Sequence, residues 1–316
     1  MPVKHFGIDA DKAFLTTACH QAAERPGRLG NNVMAIDGWL KGLPANSVLA
    51  VEATGTCHQL LLQRAVHHGL QIYLLNPRDV RHYAESLRRR AKTDQVDAQV
   101  IARYVAREQD NLRPYVEPPA SAAELERLLR RRALIVRTQN QLTLGLSDLD
   151  LPEIAQLHTR YRALLRTIDR RMDELIAQDE QRARQREQLR SIPGVGPLNS
   201  AALLSLFWRL PGITADALIA FVGFDPRPRE SGKYRGQRKL SKRGDPEIRR
   251  LGYMAAKTFA RQEVGRPLYD HYRERSFSAT ATYVILARKI LRLAHALITK
   301  NTFFDAKIFA AACNPT

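Results

Sequence analysis

The chain has 316 residues, 44% of them hydrophobic and 26% charged, which suits two or three globular domains and excludes an intrinsically disordered chain. Fifty Lys and Arg against 32 Asp and Glu leave a net charge of +18, an excess that calls for a polyanionic partner. Nucleic acid is preferred to an acidic membrane, because no basic amphipathic helix adjoins an apolar anchor and no run of 18 apolar residues exists. Cys19, Cys57 and Cys313 form neither a CxxC pair nor a disulfide framework, and the first residues carry no signal-peptide run. The expectation is a cytoplasmic, nucleoid-associated protein with no membrane contact.

The first part alternates short apolar runs with helical segments. Phe6-Gly7-Ile8-Asp9 and Ala13-Phe14-Leu15-Thr16-Thr17-Ala18 read as two strands joined by a tight polar turn. Ser47-Val48-Leu49-Ala50-Val51-Glu52 and Gln71-Ile72-Tyr73-Leu74-Leu75 read as buried strands, with a helix over 57–68 between them. A hairpin followed by strand–helix–strand units predicts a mixed α/β domain with its site at the strand ends. Arg113-Pro114-Tyr115-Val116-Glu117-Pro118-Pro119 breaks the pattern. A helix over 121–146 follows, opened by the Ser121–Glu124 capping signature, and a second runs over 152–189 with Ile154, Leu157, Tyr161, Leu164, Leu165, Ile168, Met172 and Ile176 at three-and-four spacing. The two predict an antiparallel hairpin or coiled coil, whose seam could also pair with a second copy. Ile192-Pro193-Gly194-Val195-Gly196-Pro197 resembles a helix–hairpin–helix turn, which can hold a phosphate or simply close a helix pair. The remainder is largely helical except for one basic loop.

Two constellations carry chemistry. Asp9 and Glu52 each end a strand, and Asp94 and Asp97, three apart, share one face of a helix. Taken singly, each acid reads as an exposed charge or a cap, and Asp11 rivals Asp9. As a set, four carboxylates have the makeup of a Mg²⁺ site that could clamp the oxygens of a phosphoryl transfer. Residues 230–245 set Ser231 and Ser241 among glycines and six cations, Lys233, Arg235, Arg238, Lys239, Lys242 and Arg243. Cations neutralise phosphate, glycine admits close backbone approach, and a hydroxyl held there could attack a phosphodiester or bind it.

The strings Gly7-Ile8-Asp9, Val51-Glu52-Ala53-Thr54-Gly55, Lys92-Thr93-Asp94-Gln95-Val96-Asp97-Ala98, Ile192-Pro193-Gly194-Val195-Gly196-Pro197, Phe221-Val222-Gly223-Phe224-Asp225-Pro226, Ser231-Gly232 and Ser241-Lys242-Arg243-Gly244-Asp245, in this order, resemble the transposases of the insertion sequence 110 / 1111 family. The resemblance covers nearly the whole chain and departs mildly at Phe224-Asp225-Pro226, where Leu-x-Pro is usual. It implies an α/β plus α architecture: an N-terminal RuvC-like (RNase H fold) domain over 1–116, a helical coiled coil over 117–190, and a mainly helical C-terminal transposase domain over 191–316. It further implies a recombinase guided by a noncoding bridge RNA, acting on target and donor DNA as a dimer or tetramer. By position, Asp9, Glu52, Asp94 and Asp97 become a DEDD set for Mg²⁺. Ser231 becomes the nucleophile of a covalent 5′-phosphoserine link, and Ser241 holds a phosphate or a turn. Two rivals stay open: a RuvC-like junction-resolving nuclease that activates water without a covalent intermediate, and a non-catalytic nucleic-acid binder.

Overall fold

The computed structural model describes residues 3–20, 27–53, 55–87, 93–227, 230–231, 234–235 and 239–313. It divides into two compact units, 1–117 and 118–316.

The first unit is a mixed α/β layer structure. Strand β1 (Lys4–Ala10) turns through Asp11, whose N–H donates to Phe14 O at 2.9 Å, into antiparallel β2 (Phe14–Cys19) and then β3 (Gly27–Gly30). Helix α1 (Val33–Lys41), capped by the Asn32 side chain, leads to β4 (Ser47–Glu52). Helix α2 (Gln59–His67) leads to β5 (Gln71–Leu75). Helices α3 (Pro77–Ser86) and α4 (Asp94–Glu108) follow, then a 3-10 turn (Gln109–Asn111). The sheet order is β3-β2-β1-β4-β5, with β1, β4 and β5 parallel and β2 antiparallel to both of its neighbours, β1 and β3. Alternation along β4 explains the two cores. Leu49 and Val51 pack with Ile36, Leu61 and Ile72 under α1 and α2. Val48 and Ala50 pack with Tyr73, Val80 and Ile101 under α3 and α4.

The second unit is mainly helical, as expected: α5 (Ala120–Gly145), α6 (Pro152–Ala177), α7 (Glu180–Arg190), α8 (Pro197–Arg209), α9 (Ala215–Val222), α10 (Pro246–Phe259), α11 (Arg266–Glu274), α12 (Ala279–Lys300) and α13 (Ala306–Cys313). Four two-residue strands interrupt it between α9 and α10: β6 (Pro226–Arg227), β7 (Glu230–Ser231), β8 (Tyr234–Arg235) and β9 (Lys239–Leu240).

Two helix expectations need correction. The segment 152–189 is two helices, because the Asp179 side chain accepts from Arg182 N at 2.9 Å and starts α7 afresh. The Ser121–Glu124 signature is no cap: Pro119 is the N-cap residue without a side-chain bond, and Glu124 instead pairs with Arg127. The hairpin of α5 and α6 is tied by Arg132 to Asp169 at 2.6 Å. Its inner half joins one core with the later helices through Leu125, Leu129, Met172, Leu175 and Ile176. Its outer half leaves Leu134, Leu144, Leu157 and Leu164 exposed. Ile192 and Val195 of the Pro-Gly-Val-Gly segment are buried in that same core, so the turn packs helices together whatever else it binds.

Candidate active site

Asp9 is the penultimate residue of β1 and Glu52 the last of β4. Ile8 pairs with Val51 in parallel register, so the two acids that follow emerge side by side on one face of the sheet. That face also carries Gly7, opposite Ala50, and α4 lies across it. A Cβ at Gly7 would stand 2.2 Å from both Ala102 N and Ala98 O, so only glycine lets α4 lie this close to β1. The close approach carries the first turn of α4, with Asp94 and Asp97, over the strand ends. The Thr93 hydroxyl begins the helix by accepting from Val96 N at 3.3 Å. Acids in a first turn also suit the helix dipole.

Asp9 registers its neighbours electrostatically. Burial is the main cause that pushes its carboxyl up from 3.8 to about 6, and the negative charges of Asp94, Asp97, Glu52 and Asp11 add to it in that order. All four predicted acids, with Asp11 as the weakest contributor, therefore share one negative field. Repulsion of this kind is what a cation relieves, and an all-oxygen donor set without Cys or His fits a hard divalent ion such as Mg²⁺. Among the described residues, no three His, Cys, Asp or Glu side chains stand as a ready-made metal cage.

The basic loop is described in part. Glu230 pairs with Arg235 and Ser231 with Tyr234, so the backbone of Ser231 and Arg235 belongs to a short antiparallel ladder. Lys233 and Arg238 lie outside the described residues. Lys239, Lys242 and Arg243 are exposed, as phosphate contacts require. Ser241 is different: it is buried, and its hydroxyl donates to the Asp225 carboxylate. Its contacts favour the turn-holding role over the phosphate-holding one. Gly7, Thr93 and Asp225 stand inside the strings quoted from the sequence, which gave them no role of their own. A glycine between Phe6 and Ile8 in a strand was the available signal for the first, and a Thr one residue before the helical acids for the second.

A family model described as "Transposase" (DEDD_Tnp_IS110) matches residues 27–168, a span that holds Glu52, Asp94 and Asp97. A second, "Transposase IS116/IS110/IS902 family", matches residues 186–272, which hold the basic loop. The "Pilin gene-inverting protein" of Moraxella bovis is 26% identical over 271 residues, 82% of each chain. The "Insertion element IS116 uncharacterized 44.8 kDa protein" of Streptomyces clavuligerus is 24% identical over 332 residues, 81% of this chain and 83% of that one. The "Insertion element IS900 uncharacterized 42 kDa protein" of Mycobacterium paratuberculosis is 28% identical over 143 residues, 44% and 36% of the two chains.

Proposed function

The chain belongs to the IS116/IS110/IS902 family of transposases, and from that premise we propose that it is a DNA recombinase that exchanges strands through a serine-linked intermediate, directed by a noncoding bridge RNA. The observation that carries the reading is the shared negative field around Asp9, assembled from two parallel strand ends and one helix start. A strand order of β3-β2-β1-β4-β5 with acids at the ends of β1 and β4 supports a RuvC-like, RNase H type first unit.

In this reading Asp9, Glu52, Asp94 and Asp97 would hold Mg²⁺, which would supply Lewis-acid stabilisation of negative charge in phosphoryl transfer. The Ser231 hydroxyl attacks phosphorus. The Oγ–P bond forms, the P–O3′ bond breaks, and the serine proton ends on the 3′ oxygen. The 5′-phosphoserine ester conserves the bond until a 3′ hydroxyl from the partner strand displaces Ser231, so no external energy source is needed. Lys233, Arg235, Arg238, Lys239, Lys242 and Arg243 neutralise phosphates of DNA or RNA. The exposed leucines of the outer α5–α6 hairpin support pairing with a second copy, as an exchange between two duplexes requires more than one active site.

The test is a panel of Asp9→Ala, Glu52→Ala, Asp94→Ala and Asp97→Ala in a strand-exchange assay with Mg²⁺. Each is expected to abolish exchange while RNA binding stays largely intact. Full activity in any one removes that residue from the site, and free 5′ phosphates without adduct in the parent chain favour the nuclease.

A further inference from the structure

The loop that carries Ser231 is rooted by contacts between the strings 221–226 and 241–245, joined by Arg249. Phe224, 2% exposed, anchors the root in the core of the second unit. Asp225 then receives Ser241 twice: its carbonyl accepts the Ser241 N–H at 2.9 Å, and its Oδ1 accepts the buried hydroxyl. The Ser241 oxygen lies 3.5 Å from the Arg243 N–H, which donates to it. The Lys242 N–H donates to Gly223 O at 3.2 Å. Arg249 on α10 ties the end of α9 to the segment before α10, its Nη1 donating to Val222 O at 3.1 Å and to Gly244 O. Gly244 sits so close to Phe221 that a Cβ there would be 2.0 Å from the Phe221 carbonyl oxygen.

Two nested pairings leave this root. Pro226 pairs with Leu240 and Arg227 with Lys239, and further out Glu230 pairs with Arg235 and Ser231 with Tyr234. Ladders of two residues have little stability of their own. Pro226, Arg227 and Lys239 are exposed, and Leu240 alone of the first ladder packs against the core, next to Ser241. The first ladder begins at Asp225 and Ser241, whose paired contacts close its root.

We propose that Asp225 is a positioning residue for strand transfer: through Ser241, and with Arg249, it fixes the direction in which the β6–β9 and β7–β8 ladders present Ser231. The proposal rests on Ser231 being the nucleophile. It explains why a buried Ser241 hydroxyl is held by a half-buried carboxylate beside a basic loop, where a phosphate contact would need an exposed hydroxyl.

The experiment uses the full chain with Mg²⁺, the RNA transcribed beside its reading frame, and a nicked duplex of the recombination site, and it reads two quantities. One is the single-turnover rate of covalent adduct formation; the other is the Kd for the same duplex. Asp225→Ala and Ser241→Ala are each expected to slow adduct formation by about 100-fold, the order that a misplacement of about 1 Å costs, with Kd unchanged. Asp225→Asn, whose Oδ1 still accepts, and Ser241→Thr, which keeps the hydroxyl, are expected to restore most of the rate. The double variant is expected to be no slower than either single, as for two ends of one contact. If Asp225→Ala does not fold, the comparison of Ser241→Ala with Ser241→Thr carries the test. An adduct rate in Asp225→Ala or Ser241→Ala equal to the parent's, or a Kd that weakens in step with the rate, overturns the proposal. An adduct that survives Ser231→Ala instead sinks the nucleophile reading, and this proposal with it; loss in Ser231→Ala alone sinks only the positioning role.

Discussion

Replacing Asp9 by Asn removes a charge that the fold holds at a cost. The folded chain raises the Asp9 pKa from 3.8 to about 6, through burial first and then the charges of Asp94, Asp97, Glu52 and Asp11. The folded state thus binds this proton more tightly than the unfolded chain, so stability falls as pH rises from about 4 and the loss is complete above about 6. A shift of about two units corresponds to an upper bound of about 3 kcal/mol at about 1.4 kcal/mol per unit. Asp9 is partly exposed, and solvent screening leaves on the order of 1–2 kcal/mol. Asparagine has the same shape and no charge. Asp9→Asn is therefore expected to be more stable than the parent by on the order of 1–2 kcal/mol at pH 7.5 without divalent ions. The gap should close toward pH 4. Added Mg²⁺ should stabilise the parent more than the variant, since it binds the folded carboxylates. Urea melts at pH 4, 6 and 7.5, each with and without Mg²⁺, measure all of this. A variant that is less stable at pH 7.5, or a difference that does not change with pH, would refute the electrostatic account of the acid cluster.

Gly7→Ala alters no charge, yet its Cβ would meet Ala98 O and Ala102 N at 2.2 Å and must push α4 off β1. It is expected to cost about 1–3 kcal/mol, as overpacking does, and to reduce strand exchange by at least 10-fold through displacement of Asp94 and Asp97; denaturant melts paired with the exchange assay check it, and parental activity would detach α4 from the site. Affinity for RNA and DNA should fall steeply with salt, since a chain of net charge +18 releases many counterions on binding phosphates; a flat plot of log K against log salt would contradict the phosphate-binding reading of the basic loop.

What was legible in the sequence follows from locality. The strands 47–52 and 71–75 could be read to the residue because each is a continuous apolar run ended by a polar break, and the structure keeps those bounds. The gathering of Asp9, Glu52, Asp94 and Asp97 could be anticipated from strand ends and helical spacing, though their role stays a proposal. Other features were not local. The short exposed β3 and the helices α1 and α3 carry weak patterns: Arg28 and the exposed Met34 interrupt the first two, and α3 is mostly polar with Val80 its one buried residue. The break between α6 and α7 hangs on one cap, Asp179, within a run that otherwise continues to favour helix. The pairing of Asp225 with Ser241 spans 16 residues, beyond any periodicity. Gly7 could be seen, but its reason lies in Ala98 and Ala102, some ninety residues on.

The account stands or falls on which atom receives the DNA strand. The reaction of the parent chain with a nicked duplex, stopped by denaturation, digested with protease and nuclease and mapped by mass spectrometry, measures this directly. The account predicts a single modified peptide with a 5′ nucleotide esterified to Ser231, absent in Ser231→Ala. A nucleotide on Ser241 or any other residue, or free 5′ phosphates with no modified peptide, would contradict it.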